Sequence, residues 1–314
     1  MKTLKAVSIG FGRSIASPAL IAWLLLLSLV VAMPYTMLVR EAVKDSVGTS
    51  LAGERLRDGF DMEWYSDYQF NTEGVASQLT PTAVRPAAFL DNLDAWFSGE
   101  LFLEQPALVS AGLVFAMLWA LMVGGILYRF VHSERAFSLS KLLGRGGGYF
   151  FRLIRLMVLM AIPYYGVYRF SRWLFPWLED LMRDVTVERT ALGVNLLAAL
   201  LVIGLLLLVK LTSDYAKVAT VMEERRSMIL AAWRGFRFVV AHPFRTFGAY
   251  VTIALAGLAA LWGYSLLAPG QDQATMIGVL IAFVIAQAFL AVRVVQRLTT
   301  YGAAVELYRD TSED

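Results

Sequence analysis

From Leu192 to Leu211 the chain reads LGVNLLAALLVIGLLLLVKL, twenty residues interrupted only by Asn195 and Lys210. Coiled as a helix, this run is apolar on every side and has no wet face to turn toward water. At 1.5 Å per residue it is about 30 Å long, the thickness of a bilayer's hydrocarbon core. The segment belongs in a membrane, and whatever else the chain does is built around that constraint.

Five further stretches have a similar character: Ala19 to Leu38, Ala107 to Tyr128, Leu153 to Phe170, Thr246 to Leu267 and Ala274 to Val292. Composition agrees, because a chain that is 58% hydrophobic and only 17% charged carries more apolar surface than one soluble core absorbs. The span at 153–170 is edged by Arg152 and Arg155 on one side and Arg169 and Arg172 on the other, whose stems must snorkel to reach water. A cleaved signal peptide competes for the first span, since Lys2, Lys5 and Arg13 precede it and small residues follow at Val30 to Ala32. Its basic leader is long for a signal, and it is taken as a span. The expectation is an all-α polytopic membrane protein, a single membrane domain over 1–314 with six transmembrane helices.

Charge sets an orientation. With six spans both termini share a side; the segments on that side hold nineteen lysines and arginines, against nine on the other. The positive-inside bias puts both termini in the cytoplasm of a bacterial inner membrane. Residues 39–106 become one large external, periplasmic loop with twelve acidic and five basic residues. Basic residues on the inner side face anionic lipid headgroups, and nucleic acid is not an expected partner, because no soluble basic domain accompanies them.

Two short stretches echo each other, GFGRSIASP at Gly10 to Pro18 and GFRFVVAHP at Gly235 to Pro243, each leading into an apolar run. Pro18 and Pro243 lack an amide proton and disfavour helix at the preceding residue, so each marks the joint where one helix stops and the next begins. Between them GRGGGYFFRLIR has no proline, and Gly146, Gly147 and Gly148 are expected to supply the bend or a close helix contact. A phosphate loop is a poorer reading of these glycines, for no lysine and serine or threonine follow at Walker spacing. The pattern suggests three helix-plus-hairpin units with cytoplasmic interfacial helices. The clearest such segment lies in 213–245: Ile229, Trp233, Phe236 and Val240 share a helical face, and Arg226, Arg234, Arg237, His242 and Arg245 are candidates for an anionic-lipid interface.

The 42 residues DYAKVATVMEERRSMILAAWRGFRFVVAHPFRTFGAYVTIAL, Asp214 to Leu255, resemble the corresponding segment of multi-pass bacterial membrane proteins similar to the membrane domains attached to some glycerophosphodiester phosphodiesterases. The resemblance implies fold and location. It carries over no catalytic residue, because those enzymes work through a separate barrel of about 250 residues, for which these spans leave no room.

Site chemistry is sparse. There is no cysteine and only two histidines, His132 and His242, so neither a thiolate nor a histidine-rich metal centre is expected, and no cofactor. No acidic residue lies in any span, which weakens a proton-coupled transporter. Asn195 and Gln287 read as helix-packing contacts; small residues at Gly248, Thr252, Ala256 and Ala260 and at Gly278, Ala282 and Ala286 predict close pairing of the last two spans. In the external loop Phe60, Trp64 and Tyr68 recur every fourth residue among carboxylates, and Phe89, Leu93 and Trp96 form a second apolar face. Asp61, Glu63, Trp64, Tyr65 and Asp67 are the candidate external partner or ligand surface. The favoured function is a non-catalytic scaffold or partner subunit of an envelope process; the alternatives are a transporter or lipid-handling protein, and an enzyme acting on headgroups through Asp61, Glu63 and Asp67.

Overall fold

The computed structural model describes residues 2–48, 52–58, 61–72, 106–134, 137–183, 187–268 and 275–312. They form ten helices in chain order: α1 (Lys2–Ile15), α2 (Pro18–Val47), α3 (Ala52–Asp58), α4 (Met62–Asn71), α5 (Pro106–Val131), α6 (Leu139–Met182), α7 (Glu188–Met222), α8 (Met228–Ala241), α9 (Pro243–Leu267) and α10 (Met276–Ser312). No strand occurs among the described residues. Five helices, α5, α6, α7, α9 and α10, are long and apolar enough to cross a membrane, and a sixth span arises if α1 and the first half of α2, bent by 76°, count as one. The described residues are all-helical, and by length and composition their helices are those of a membrane protein.

The two prolines end helices as their chemistry requires. Ser17 adopts φ −131° and ψ 61° before Pro18, and His242 adopts φ −129° and ψ 53° before Pro243, so the two joints have nearly one geometry. The glycines do not supply a third bend. Gly146, Gly147 and Gly148 lie inside α6, one helix of 44 residues that absorbs the whole expected span at 153–170 and extends well beyond both its ends. What the run does provide is a close contact at one of its members: a Cβ on Gly146 would strike the Leu121 carbonyl, whereas Gly147 and Gly148 have nothing within 4 Å.

The chain divides into two compact units, one made of 1–10, 118–250 and 300–314, the other of 11–117 and 251–299. In the first, helices cross at glycine. Gly125 of α5 sits under the Leu142 carbonyl of α6, Gly235 of α8 lies against Thr212 and Ala216 of α7, and Gly302 of α10 faces Gly10 of α1. Backbones this close leave no room for side chains, and the contact area comes from the helices' own main chains. Ala6, Ala249 and Leu307 close a small core nearby.

In the second unit Trp64, Tyr68 and Ala52 form a core packed by Ala42, Val43, Val47, Leu56 and Tyr65, so α3 and α4 fold back on the end of α2. Helices α9 and α10 meet through Gln296, which donates from Nε2 to the Ile253 carbonyl at 3.1 Å, and through Tyr264 stacked on Phe289 at 4.7 Å. On α9 the centre of the expected pairing face is therefore shifted by one residue, whereas Gly278, Ala282 and Ala286 of α10 are half-buried. Gly257 lies under Gln296 while Ala256 is exposed, so on α9 the contact centres on Ile253, Gly257 and Tyr264, and Thr252 and Ala260 of the expected stripe are half-buried at its edge. Both faces are apolar enough for the interior of a bilayer, and the polar partner Gln296 selects between them.

Candidate functional site

The polar chemistry of the first unit gathers where α5, α7 and α10 end and α6 and α8 begin. Helix α7 supplies its centre. Asp214, 2% exposed, is flanked one turn away on each side by Lys210 and Lys217, the latter at 2.8 Å. Spacings of four and three residues put all three on one helical face, so the buried carboxylate is paired from within its own helix.

Beyond Met222 the chain turns. Glu224 takes a left-handed φ of 50°, and the Arg225 amide reaches back to the Thr220 carbonyl at 3.2 Å, a helix stop of the Schellman type. That stop aims two carboxylates in different directions. Glu223 accepts from the Tyr308 hydroxyl at 2.6 Å, from Arg225, and from Arg234 of α8 at 3.1 Å. Glu224 accepts from the Tyr149 hydroxyl at 2.6 Å and lies 3.8 Å from Arg152. Burial alone raises a carboxyl's pKa, but for Glu223 the Tyr308 hydroxyl and the two guanidiniums outweigh it and hold the group below its ordinary value. Under this network Phe238 packs on Tyr215 at 4.7 Å, Tyr308 at 4.9 Å and His242 at 5.1 Å.

The predicted lipid-facing residues separate into two groups. Arg226 and Arg237 are exposed; Arg245 and His242 are half-buried, and the imidazole Nδ1 of His242 lies 3.3 Å from the Phe238 carbonyl of its own helix. Arg234 is committed to Glu223, a partner that helical spacing alone does not reveal. Ile229, Trp233, Phe236 and Val240 are all exposed, while Met228, Ala231, Gly235 and Val239 are buried. Helix α8 thus has two apolar sides, a small-residue one against α7 and a large aromatic one that is exposed.

The external candidates fall in the second unit. Asp61 is the N-cap of α4 and accepts from the Glu63 and Trp64 amides at 3.0 and 3.2 Å; it also pairs with Arg55 at 2.8 Å. Glu63 is exposed and bonded to Arg55 at 2.9 Å. Trp64 is buried, with its indole donating to Ser46 Oγ at 3.0 Å; Tyr65 is half-buried and Asp67 exposed. A recess of about 520 Å³ opens beside them, lined among others by Asp45, Ser46, Arg55, Trp64, Asp67 and Asn71. Asp45, Ser46 and Arg55 were not singled out by spacing, since they come from α2 and α3. Phe60, Phe89, Leu93 and Trp96 lie outside the described residues.

Among the described residues no three acidic or histidine side chains converge as a metal site. The chain was compared with protein-family models, with curated proteins and with solved structures, and nothing matches.

Proposed function

We propose that the chain is a multi-pass protein of a bacterial inner membrane, with both termini cytoplasmic, that acts as a scaffold or partner subunit of an envelope process. The observation that carries this is the folded platform at the end of α2. A loop that only linked two spans has no need to bury Trp64 and Tyr68, cap α4 with Asp61 and tie Arg55 to two carboxylates. The recess beside it, with Asp45 and Asp67 in its lining, offers a shaped acidic surface to an envelope partner carrying basic residues.

The other end of the chain fits an anchoring role. The aromatic side of α8 suits the acyl boundary of the inner leaflet and its exposed Arg226 and Arg237 suit anionic headgroups, which makes it an interfacial helix. Three helix-plus-hairpin units are supported by the matching joints at Ser17 and His242 and by the three glycine crossings at Gly10, Gly146 and Gly235. Kinship with the membrane domains attached to some glycerophosphodiester phosphodiesterases is part of the same proposal and adds only fold and location.

The test is purification from mild detergent after photocrosslinking from Asp67 and Asn71. One recurrent envelope protein, lost when Tyr68→Ala unseats the platform, is the expected result. Recovery of the chain alone, with cells indifferent to Tyr68→Ala, would overturn the scaffold reading.

A further inference from the structure

The α5–α6 and α7–α8 connections are built on one plan. Ser133 at φ 52° stands where Glu224 stands at φ 50°. The His132 and Glu134 amides bond to the Tyr128 and Arg129 carbonyls at 3.0 and 3.1 Å, as the Glu223 and Arg225 amides bond to Ala219 and Thr220 at 3.0 and 3.2 Å. Gly146 crosses α5 at Gly125 as Gly235 crosses α7 at Ala216, and an arginine, Arg145 or Arg234, precedes each glycine.

Side chains at matching places then differ in one respect. In α7–α8 the residue before the left-handed position is Glu223, and its carboxylate receives Arg234 at 3.1 Å. In α5–α6 that place belongs to His132, which stacks on Tyr128 at 4.0 Å. Arg145 meets no such carboxylate among the described residues and lies over the Tyr128 ring at 4.6 Å. Around it Arg129, 6% exposed and fixed by its Nε bond to the Glu134 carbonyl at 3.0 Å, joins Lys141 in lining a niche with Glu134 and Ser138. Among the described lining residues, three cations against one carboxylate leave an excess of two positive charges.

We propose that this niche binds a phosphate group, taking from outside the anion that the α7–α8 connection supplies from its own chain. A phosphomonoester carries about −1.5 to −2 at neutral pH and so matches the excess, whereas a single carboxylate does not. Guanidiniums hold such an anion through paired N–H donors, and Lys141 adds a mobile point charge. The enclosed space is about 10 Å³, enough for one water, so the phosphate sits at the mouth between the exposed Lys141 and Arg145 with Arg129 behind it. The same chemistry fits a lipid headgroup or free phosphate. This inference stands apart from the scaffold reading, which concerns the other unit.

The experiment uses the full chain in nanodiscs of phosphatidylcholine with a few per cent phosphatidic acid, read by native mass spectrometry of bound lipid, with and without millimolar inorganic phosphate. Wild type retains phosphatidic acid, and Arg145→Gln and Lys141→Gln each lower retention about tenfold, while Lys44→Gln, an exposed cation near the end of α2, leaves it unchanged. Lys141 is exposed, so its variant separates lost binding from lost folding. Retention that phosphate does not displace assigns the niche to a headgroup; displacement assigns it to soluble phosphate. No preference for phosphatidic acid over phosphatidylcholine together with no phosphate binding, or an equal loss in Lys44→Gln, overturns the proposal.

Discussion

Gly235→Ala tests the claim that main-chain contact, not side-chain chemistry, seats α8 on α7. A Cβ built on Gly235 would lie 2.6 Å from the Thr212 carbonyl oxygen and 2.7 Å from the Ala216 nitrogen, both backbone atoms that no rotamer change can clear. To reach an ordinary 3.4 Å contact the two helices must separate by about 0.8 Å, and a gap of that size forfeits roughly a quarter to a half of each dispersion contact around it. Overpacking of this kind costs about 1–3 kcal/mol. Alanine's better helix propensity offsets about 1 kcal/mol of it. Gly147→Ala and Gly148→Ala enjoy the same propensity gain with nothing within 4 Å, so subtracting one from the other isolates the packing cost. The assay is the thermal unfolding midpoint in one detergent, followed by tryptophan fluorescence. Gly235→Ala and Gly146→Ala are expected to fall below wild type or match it, and to lie about 1–3 kcal/mol below the Gly147 and Gly148 variants. All four variants shifting together would refute the argument, because propensity would then be the only effect present.

Other consequences follow from the polar ends and the platform. Glu223 has a folded pKa below its unfolded value, so its contribution to stability is full above the ordinary carboxylate pKa and is lost as pH falls through the depressed one. Unfolding midpoints measured from pH 7 to pH 3 should decline toward acid in wild type more steeply than in Glu223→Gln; parallel profiles contradict the assignment. Trp64→Phe removes the bond to Ser46 and costs about 1 kcal/mol, whereas Tyr68→Ala empties a 1% exposed site and costs about 3–5 kcal/mol, enough to open α3 and α4 to protease while the spans stay intact. Because the chain has no cysteine, single cysteines report topology directly. Asn71→Cys should react with an impermeant maleimide on intact spheroplasts and Arg226→Cys only after permeabilisation, and the reverse pattern inverts the orientation.

Five of the spans and the proline joints were legible because each rests on a local property. Hydrophobic length and the missing amide proton of Pro18 and Pro243 act within a few residues, and the helices begin at those prolines. What escaped is whatever depends on a partner far along the chain. Tyr308 and Glu223 are 85 residues apart, and Tyr149 and Glu224 are 75 apart, so no periodicity joins them. Arg234 was assigned to phosphates on the strength of its helix face, and the same face gave no sign of Glu223 eleven residues earlier. The small-residue stripe of α9 failed for a different reason. In water a buried face is apolar and an exposed face polar, but in a bilayer both are apolar, so pattern does not tell Ala256 from Gly257; a single glutamine does.

That contrast bears on where function resides in this chain. The repeated frame of glycine crossing, left-handed stop and preceding arginine fixes backbone geometry and leaves the residue before the stop free to vary. With glutamate there, the connection is closed on itself: Glu223 draws together α7, α8 and the end of α10 through Tyr308 and Arg234. With histidine there, the arginine lies over an aromatic ring and meets no carboxylate among the described residues, which is the basis for the proposed anion from outside. Exchange of the two residues follows as a prediction. His132→Glu should place a carboxylate against Arg145, raise the unfolding midpoint and abolish phosphate retention, since a covalently supplied anion competes at very high effective concentration. Retention unaffected by His132→Glu would mean that the two connections share a backbone and nothing of its chemistry.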